Sequence, residues 1–262
     1  MNTIFWLLLL QLALTTPTQD ELAWSDEFNY EGKPDSSLWT YDIGHGHNGW
    51  GNNEIQYYSD ALKNAVVRDG KLIISAIKEP DGTWTSARLK TQGRQHLKYG
   101  RVQFRARLPK GSGTWPALWM LGENIAEAGW PACGEIDVME HVGKEHGMVH
   151  HALHMPASYG DTHFKGQRDL GRPDTAYHLY EVEWRPGSLL FRIDGETSYH
   201  YQPPKADADH WPFDQPFFLI MNIAMGGNWG SDDSLESNGL QNGIDPQLDT
   251  VRMEVDYVRV YK

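Results

Sequence analysis

Alternation of polar and apolar residues at every second position constrains this chain most. After residue 20 no long segment repeats its apolar residues at a helical period, whereas period-2 runs recur to the C-terminus. Residues 101–108 (R-V-Q-F-R-A-R-L) put four polar side chains on one face and four apolar ones on the other. Residues 71–76, 178–184, 189–194, 217–225 and 255–261 read as strands too. Asp69-Gly70, Asp81-Gly82, Pro186-Gly187 and Asp194-Gly195 are turn signals between them, and Arg185-Pro186-Gly187-Ser188 is expected to close a hairpin. Many short strands, tight turns and no interspersed helices predict an all-β sandwich. No repeat, low-complexity tract or linker divides the chain, so residues 19–262 are expected to form one domain. Loops at about 41–60, 155–176 and 226–250, rich in Gly, Asn, Asp and His, are candidate cleft walls.

Residues 5–14 (F-W-L-L-L-L-Q-L-A-L) form an apolar run too short to cross a bilayer, which takes about 20 residues. It fits the apolar region of a secretory signal peptide, with cleavage expected between Thr15 and Asp20. Residues 1–18 are therefore expected to be removed, leaving a secreted or periplasmic chain without a membrane anchor. The single cysteine, Cys133, excludes an intramolecular disulfide and any CxxC site, and reads as a buried, inert thiol. The formal net charge of -12, from 23 Lys+Arg against 35 Asp+Glu, argues against a nucleic-acid partner. The 11 Trp are a surplus. They suit either a large core or a cleft in which indoles stack on the apolar faces of sugars.

The most informative segment is G-E-I-D-V-M-E-H-V, residues 134–142, with three carboxylates inside six positions. In a regular strand Glu135 and Asp137 share a face, while Ile136 and Val138 point into the core. Unbroken alternation would also drive Glu140 into the core, where an ionised carboxylate is costly. One extra residue near Val138-Met139, a β-bulge, returns Glu140 to the polar face. Three acids in one row raise at least one pKa, and a close pair of carboxylates suits a retaining glycosidase. A solvated acidic face is the alternative. Trp115 and Trp119, four apart in a strand, share a face opposite Pro116, Leu118 and Met120. Trp229, in a Gly-rich loop, is a candidate sugar platform at the cleft edge. In H-H-A-L-H, His150 and His154 share a face and His151 points away. The other histidines are expected at loops or the surface.

G-E-I-D-V-M-E resembles the active-site strand of glycoside hydrolase family 16 in its bulged form; the unbulged lichenases lack the residue corresponding to Met139. The resemblance extends over W-S-D-E-F (24–28), W-G-N-N-E-I-Q-Y-Y (50–58), S-A-R-L-K-T (86–91), T-W-P-A-L-W-M-L (114–121), N-I-A-M-G-G-N-W-G (222–230) and D-Y-V-R-V-Y (256–261). It implies a β-jelly-roll of two curved antiparallel sheets with a concave substrate cleft. It implies endo-β-1,3-glucan hydrolysis of the laminarinase type, extending to mixed β-1,3/1,4-glucan. Glu135 then matches the nucleophile, Glu140 the acid/base and Asp137 an assisting carboxylate. Asn53 and Arg88 match glycone-side binding residues, although Arg88 could instead pair with a structural acid. His154 matches a cleft histidine. No catalytic cofactor is implied, but relatives often bind a structural Ca²⁺, here at Glu27, Gly70 and Asp256, partly through backbone carbonyls. The expected partner is β-glucan, bound by a monomer. Within the class the alternative is a galactan hydrolase of agarase or carrageenase type; outside it, a non-catalytic β-glucan-binding protein. Transglycosylation is open to any retaining enzyme.

Overall fold

The computed structural model describes residues 21–262; the expected signal peptide, residues 1–18, lies outside them. In chain order the strands are β1 (Leu22–Asp26), β2 (Thr40–Asp42), β3 (Tyr57–Tyr58), β4 (Ala65–Arg68), β5 (Lys71–Lys78) and β6 (Trp84–Ser86). There follow β7 (Arg88–Lys90), β8 (Gly100–Arg107), β9 (Thr114–Gly122), β10 (Glu135–Glu140), β11 (Met148–His154) and β12 (Lys165–Asp169). The last are β13 (His178–Arg185), β14 (Ser188–Ile193), β15 (Glu196–Tyr201), β16 (Phe217–Met225) and β17 (Thr250–Tyr261). Seven strands form one sheet in the order β12-β11-β10-β9-β16-β7-β2. The second sheet runs β15-β14-β13-β8-β17-β5-β6-β3, with β1 added on β17 and β4 on β5. Among the described pairs only the short β3–β6 contact is parallel.

The alternation explains the sandwich. Val102, Phe104 and Ala106 of β8 face Leu118 and Met120 of β9, Ile136 and Val138 of β10, and Leu219, Met221 and Ile223 of β16 in one core. Burying each large aliphatic or aromatic side chain contributes about 1.5–3 kcal/mol. On its other face β16 places Phe218 and Ile220 against Leu121 and Cys133. The 185–188 hairpin forms as expected, with Arg185 paired to Ser188.

Three expectations need correction. Part of the 155–176 loop is strand: β12 reads K-G-Q-R-D and is half-exposed or exposed throughout. Its polar composition carries no strand signal. Pairing with β11 makes it one, and its polarity protects the sheet edge from further pairing. The 226–250 loop contains short helices at Gly227–Gly230 and Asp233–Ser237, the second capped by the Asp232 side chain. The final strand begins at Thr250, so Asp256 lies inside it, where the pairing with β8 shifts register between Val255 and Tyr257.

Candidate active site

The bulge that alternation demanded is present in β10. Asp137 pairs with Trp119 of β9 and the next pair is Met139 with Leu118, so Val138 is the extra residue. Ile136, Val138 and Met139 are all fully buried in the core. Glu135, Asp137 and Glu140 line a cleft of about 1040 Å³ over the seven-stranded sheet.

Neighbouring strands fix these carboxylates. Glu135 pairs across to His154 of β11, whose Nε2 lies 3.2 Å from Asp137 Oδ2 and 3.8 Å from Glu135 Oε1. The Trp130 indole N–H donates to Glu135 Oε2 at 2.9 Å, and that of Trp115 donates to Glu140 Oε1 at 3.0 Å. Burial and the neighbouring Asp137 charge push the Glu135 pKa up to about 7. The same two causes hold Glu140 well above the ordinary carboxylate range. Burial raises Asp137 as well, against the pull of His154. Burial disfavours a charged His154, but the Asp137 hydrogen bond and the charges of Glu135, Asp137 and Glu140 outweigh it and push its pKa up to about 10. Burial thus favours the protonated form of Glu140, while the surrounding carboxylates favour a cationic His154.

Across β9, β16 and β7 the cleft wall is aromatic and cationic. The Arg88 guanidinium lies between Trp50 and Trp119, 4.7 Å from each ring centroid. Its Nε is also 3.0 Å from Asp42 Oδ2, so Arg88 lines the cleft and pairs with an acid at once. Trp119 donates through its indole N–H to Asn222 Oδ1 at 2.8 Å. Asn222 donates to the Tyr58 hydroxyl at 3.0 Å, and Tyr58 donates to the buried Glu54 at 3.2 Å. Trp229 stands edge-on to Trp115 and to His150 at the opposite rim. Asn53 is not among the lining residues; it donates to Asn228 at 2.8 Å, and Asn52 takes the cleft position.

Sequence reasoning passed over Trp130, Asn222, Glu54 and His151. Only the Trp surplus hinted at the first. His151 points away from the face that His150 and His154 share, as expected, and is buried in the core; His141 lies in the loop after β10, as expected, but is buried as well. Burial pushes the Cys133 thiol up to about 12, in keeping with an inert cysteine.

Among the described residues the one grouping of side chains with metal-ligand spacing is Glu135, Asp137 and His154, inside the cleft. The residues expected to hold calcium lie elsewhere. Both Glu27 oxygens accept from Arg259, at 2.9 and 2.8 Å, and Asp256 accepts from Arg105 at 2.5 Å. Gly70 occupies the β4–β5 turn at φ 71°. Glu27 gives both side-chain oxygens to Arg259, whereas Asp256 gives only Oδ2 to Arg105, so Asp256 Oδ1 and main-chain carbonyls are the donors that remain for a dication.

Comparison with known proteins agrees with this geometry. The family model for glycosyl hydrolases family 16 matches residues 45–259. A beta-glucanase of Rhodothermus marinus is 48% identical over 257 residues, covering 92% of this chain and 85% of that protein. The solved laminarinase of Rhodothermus marinus superposes with a TM-score of 0.85 at 44% identity, covering 93% of this chain and 98% of that one. The laminarinase of Flavobacterium sp. UMI-01 also gives 0.85, at 38% identity, with 92% and 100% covered. The chain belongs to glycosyl hydrolases family 16.

Proposed function

We propose that this protein cleaves β-1,3-glucan within the polymer by a retaining double displacement. Glu135 acts as nucleophile, Glu140 as acid/base and Asp137 as the carboxylate that holds His154 in place. The observation that carries the reading is the bulged β10, which turns Glu135, Asp137 and Glu140 to one cleft face, where burial shifts Glu140 towards its protonated form. In the first step a Glu135 oxygen attacks the anomeric carbon. The departing glycosidic oxygen takes the Glu140 proton. In the second, Glu140 takes a proton from water, whose oxygen attacks the same carbon and releases Glu135. The Trp130 N–H favours the ionised form that Glu135 needs as nucleophile.

The cleft favours a neutral polymer over a sulfated galactan. Its two basic lining residues outside the histidines, Arg88 and Lys165, are each paired with an acid, Asp42 and Asp161. Laminarin, lichenan, agarose and carrageenan offered to the purified protein should give oligosaccharides from laminarin, and from lichenan if mixed linkages are accepted. Turnover of agarose or carrageenan alone would overturn the substrate assignment. Glu135→Gln should abolish turnover. Azide should restore Glu140→Ala on an activated aryl glycoside, giving a β-glycosyl azide. Proton NMR at early times should show the β-anomer first; near-normal hydrolysis by Glu135→Gln refutes the roles.

No helix among the described residues is long and apolar enough to cross a membrane. Export through residues 1–18, action as a monomer, and calcium bound at Glu27, Gly70 and Asp256, partly through main-chain carbonyls, belong to the same proposal. N-terminal sequencing of the exported protein, light scattering, and metal analysis with EDTA melting curves test them in turn. An unmoved melting curve with no bound calcium removes the metal.

A further inference from the structure

The bulge in β10 leaves a backbone group to be satisfied, and one buried side chain satisfies it. On the β11 side Asp137 pairs with Ala152 and Glu140 with His150, so Val138 and Met139 together face the single residue His151. A bulge takes its extra residue out of the ladder, leaving main-chain groups without ladder partners. His151 is fully buried, and its Nδ1 lies 2.7 Å from the Val138 carbonyl oxygen. A carbonyl only accepts, so Nδ1 carries the hydrogen. Nε2 then accepts from the Ser198 hydroxyl of β15 at 2.6 Å. The ring also packs on Phe191 of β14, with centroids 4.9 Å apart. The other sheet thus holds the imidazole in place, and the imidazole holds the bulge.

We infer that His151 is a positioning residue: through its Nδ1–H it fixes the bulge at Val138 and thereby the placement of Glu140 relative to Glu135. This deepens the glycosidase reading above and rests on it. Burial supports the inference by holding the imidazole pKa near 4, in the neutral form that carries a single N–H.

The test compares His151→Asn with His151→Gln. The Asn amide nitrogen falls near the Nδ1 position and keeps a donor for Val138. The Gln amide reaches instead towards Ser198. Both variants lose the ring and its packing on Phe191, so both should melt lower by a similar amount. On laminarin, His151→Asn should keep kcat within about 3-fold, whereas His151→Gln should lose about 30-fold in kcat with KM little changed, since a misplacement near 1 Å can cost about 100-fold. The His151→Gln loss should shrink on an aryl β-glucoside with a good leaving group, which needs no proton from Glu140. Equal kcat in the two variants, or a loss of the same size on both substrates, overturns the inference. If His151→Gln does not fold, Ser198→Ala decides: it keeps the ring and its Nδ1–H but removes the Nε2 partner through which the other sheet holds the ring against Val138. A several-fold fall in laminarin kcat is then expected, and an unchanged kcat overturns the proposal. Wild-type hydrolysis of laminarin and an inactive Glu135→Gln, measured alongside, separate failure of this inference from failure of the glycosidase reading.

Discussion

Replacing Trp115 by Phe tests how the acid/base glutamate holds its proton. The change keeps an aromatic ring at the cleft rim and removes one group, the indole N–H that donates to Glu140 Oε1 at 3.0 Å. A hydrogen bond to a charged group contributes about 1.5–3 kcal/mol, and one pKa unit corresponds to about 1.4 kcal/mol. The bond stabilises the carboxylate over the carboxylic acid, so in the wild type it opposes burial, which raises the Glu140 pKa. Its loss should lift that pKa further by about one to two units. The free-enzyme profile of kcat/KM against pH should rise as Glu135 ionises, near pH 7, and fall as Glu140 ionises. In Trp115→Phe the descending limb should move up by one to two units while the ascending limb stays. Laminarin hydrolysis measured from pH 5 to 10 for both proteins reads this directly. A descending limb that stays, or moves down, would refute the assignment of that limb to Glu140 or the strength of the bond.

Three further outcomes are expected. Arg88→Ala removes the guanidinium held between Trp50 and Trp119, and loss of one charge-assisted contact to a sugar hydroxyl, about 1.4 kcal/mol, should raise KM for laminarin about 10-fold. Asp42 keeps Lys90 as a partner, so the melting temperature should change little. Arg259→Ala unties Glu27 from the last strand; both side chains are about one-third exposed, so about 0.5–1 kcal/mol is expected, a fall of about 2 °C in melting temperature with unchanged kinetics. His151 has a folded pKa near 4, below its ordinary 6.5, so the unfolded chain binds its proton first as pH falls. Its stability contribution is complete above pH 6.5 and lost towards pH 4, by about 3 kcal/mol, and urea unfolding of His151→Asn should show that slope flattened.

The fold was legible wherever one face of a strand is core and the other is not. Residues 217–225 coincide with β16, and 101–108 with β8 to within one residue at each end. Where composition does not alternate in hydrophobicity, the signal vanishes. β12 is polar on both faces and exists because β11 offers it a ladder. The carboxylates of the site were legible for the opposite reason: Glu140 breaks the alternation, and only a bulge reconciles its charge with the core positions of Ile136 and Val138. Asn53 against Asn52 was not legible, because a turn with several left-handed residues, Asn48, Trp50 and Asn53, follows no period.

What stayed hidden is the set of neighbours that make the carboxylates usable, and the reason is topological. Trp115 lies 20 residues before the start of β10 and His151 lies 11 after its end, and His151 is in turn held by Ser198 and Phe191 of the other sheet. Sequence spacing within one strand reports which residues share a face, but not which side chain of a neighbouring strand meets a displaced carbonyl. The bulge is therefore half of the device. Inserting Val138 turns Glu140 towards substrate, and it also creates a buried acceptor that a regular ladder would not leave. A polar group of that kind is costly unless paired, so the sequence that carries the bulge needs a buried donor at the facing position of β11. His151 is that donor. This couples catalytic geometry to the packing between the two sheets, a link that no strand of the chain shows when read alone.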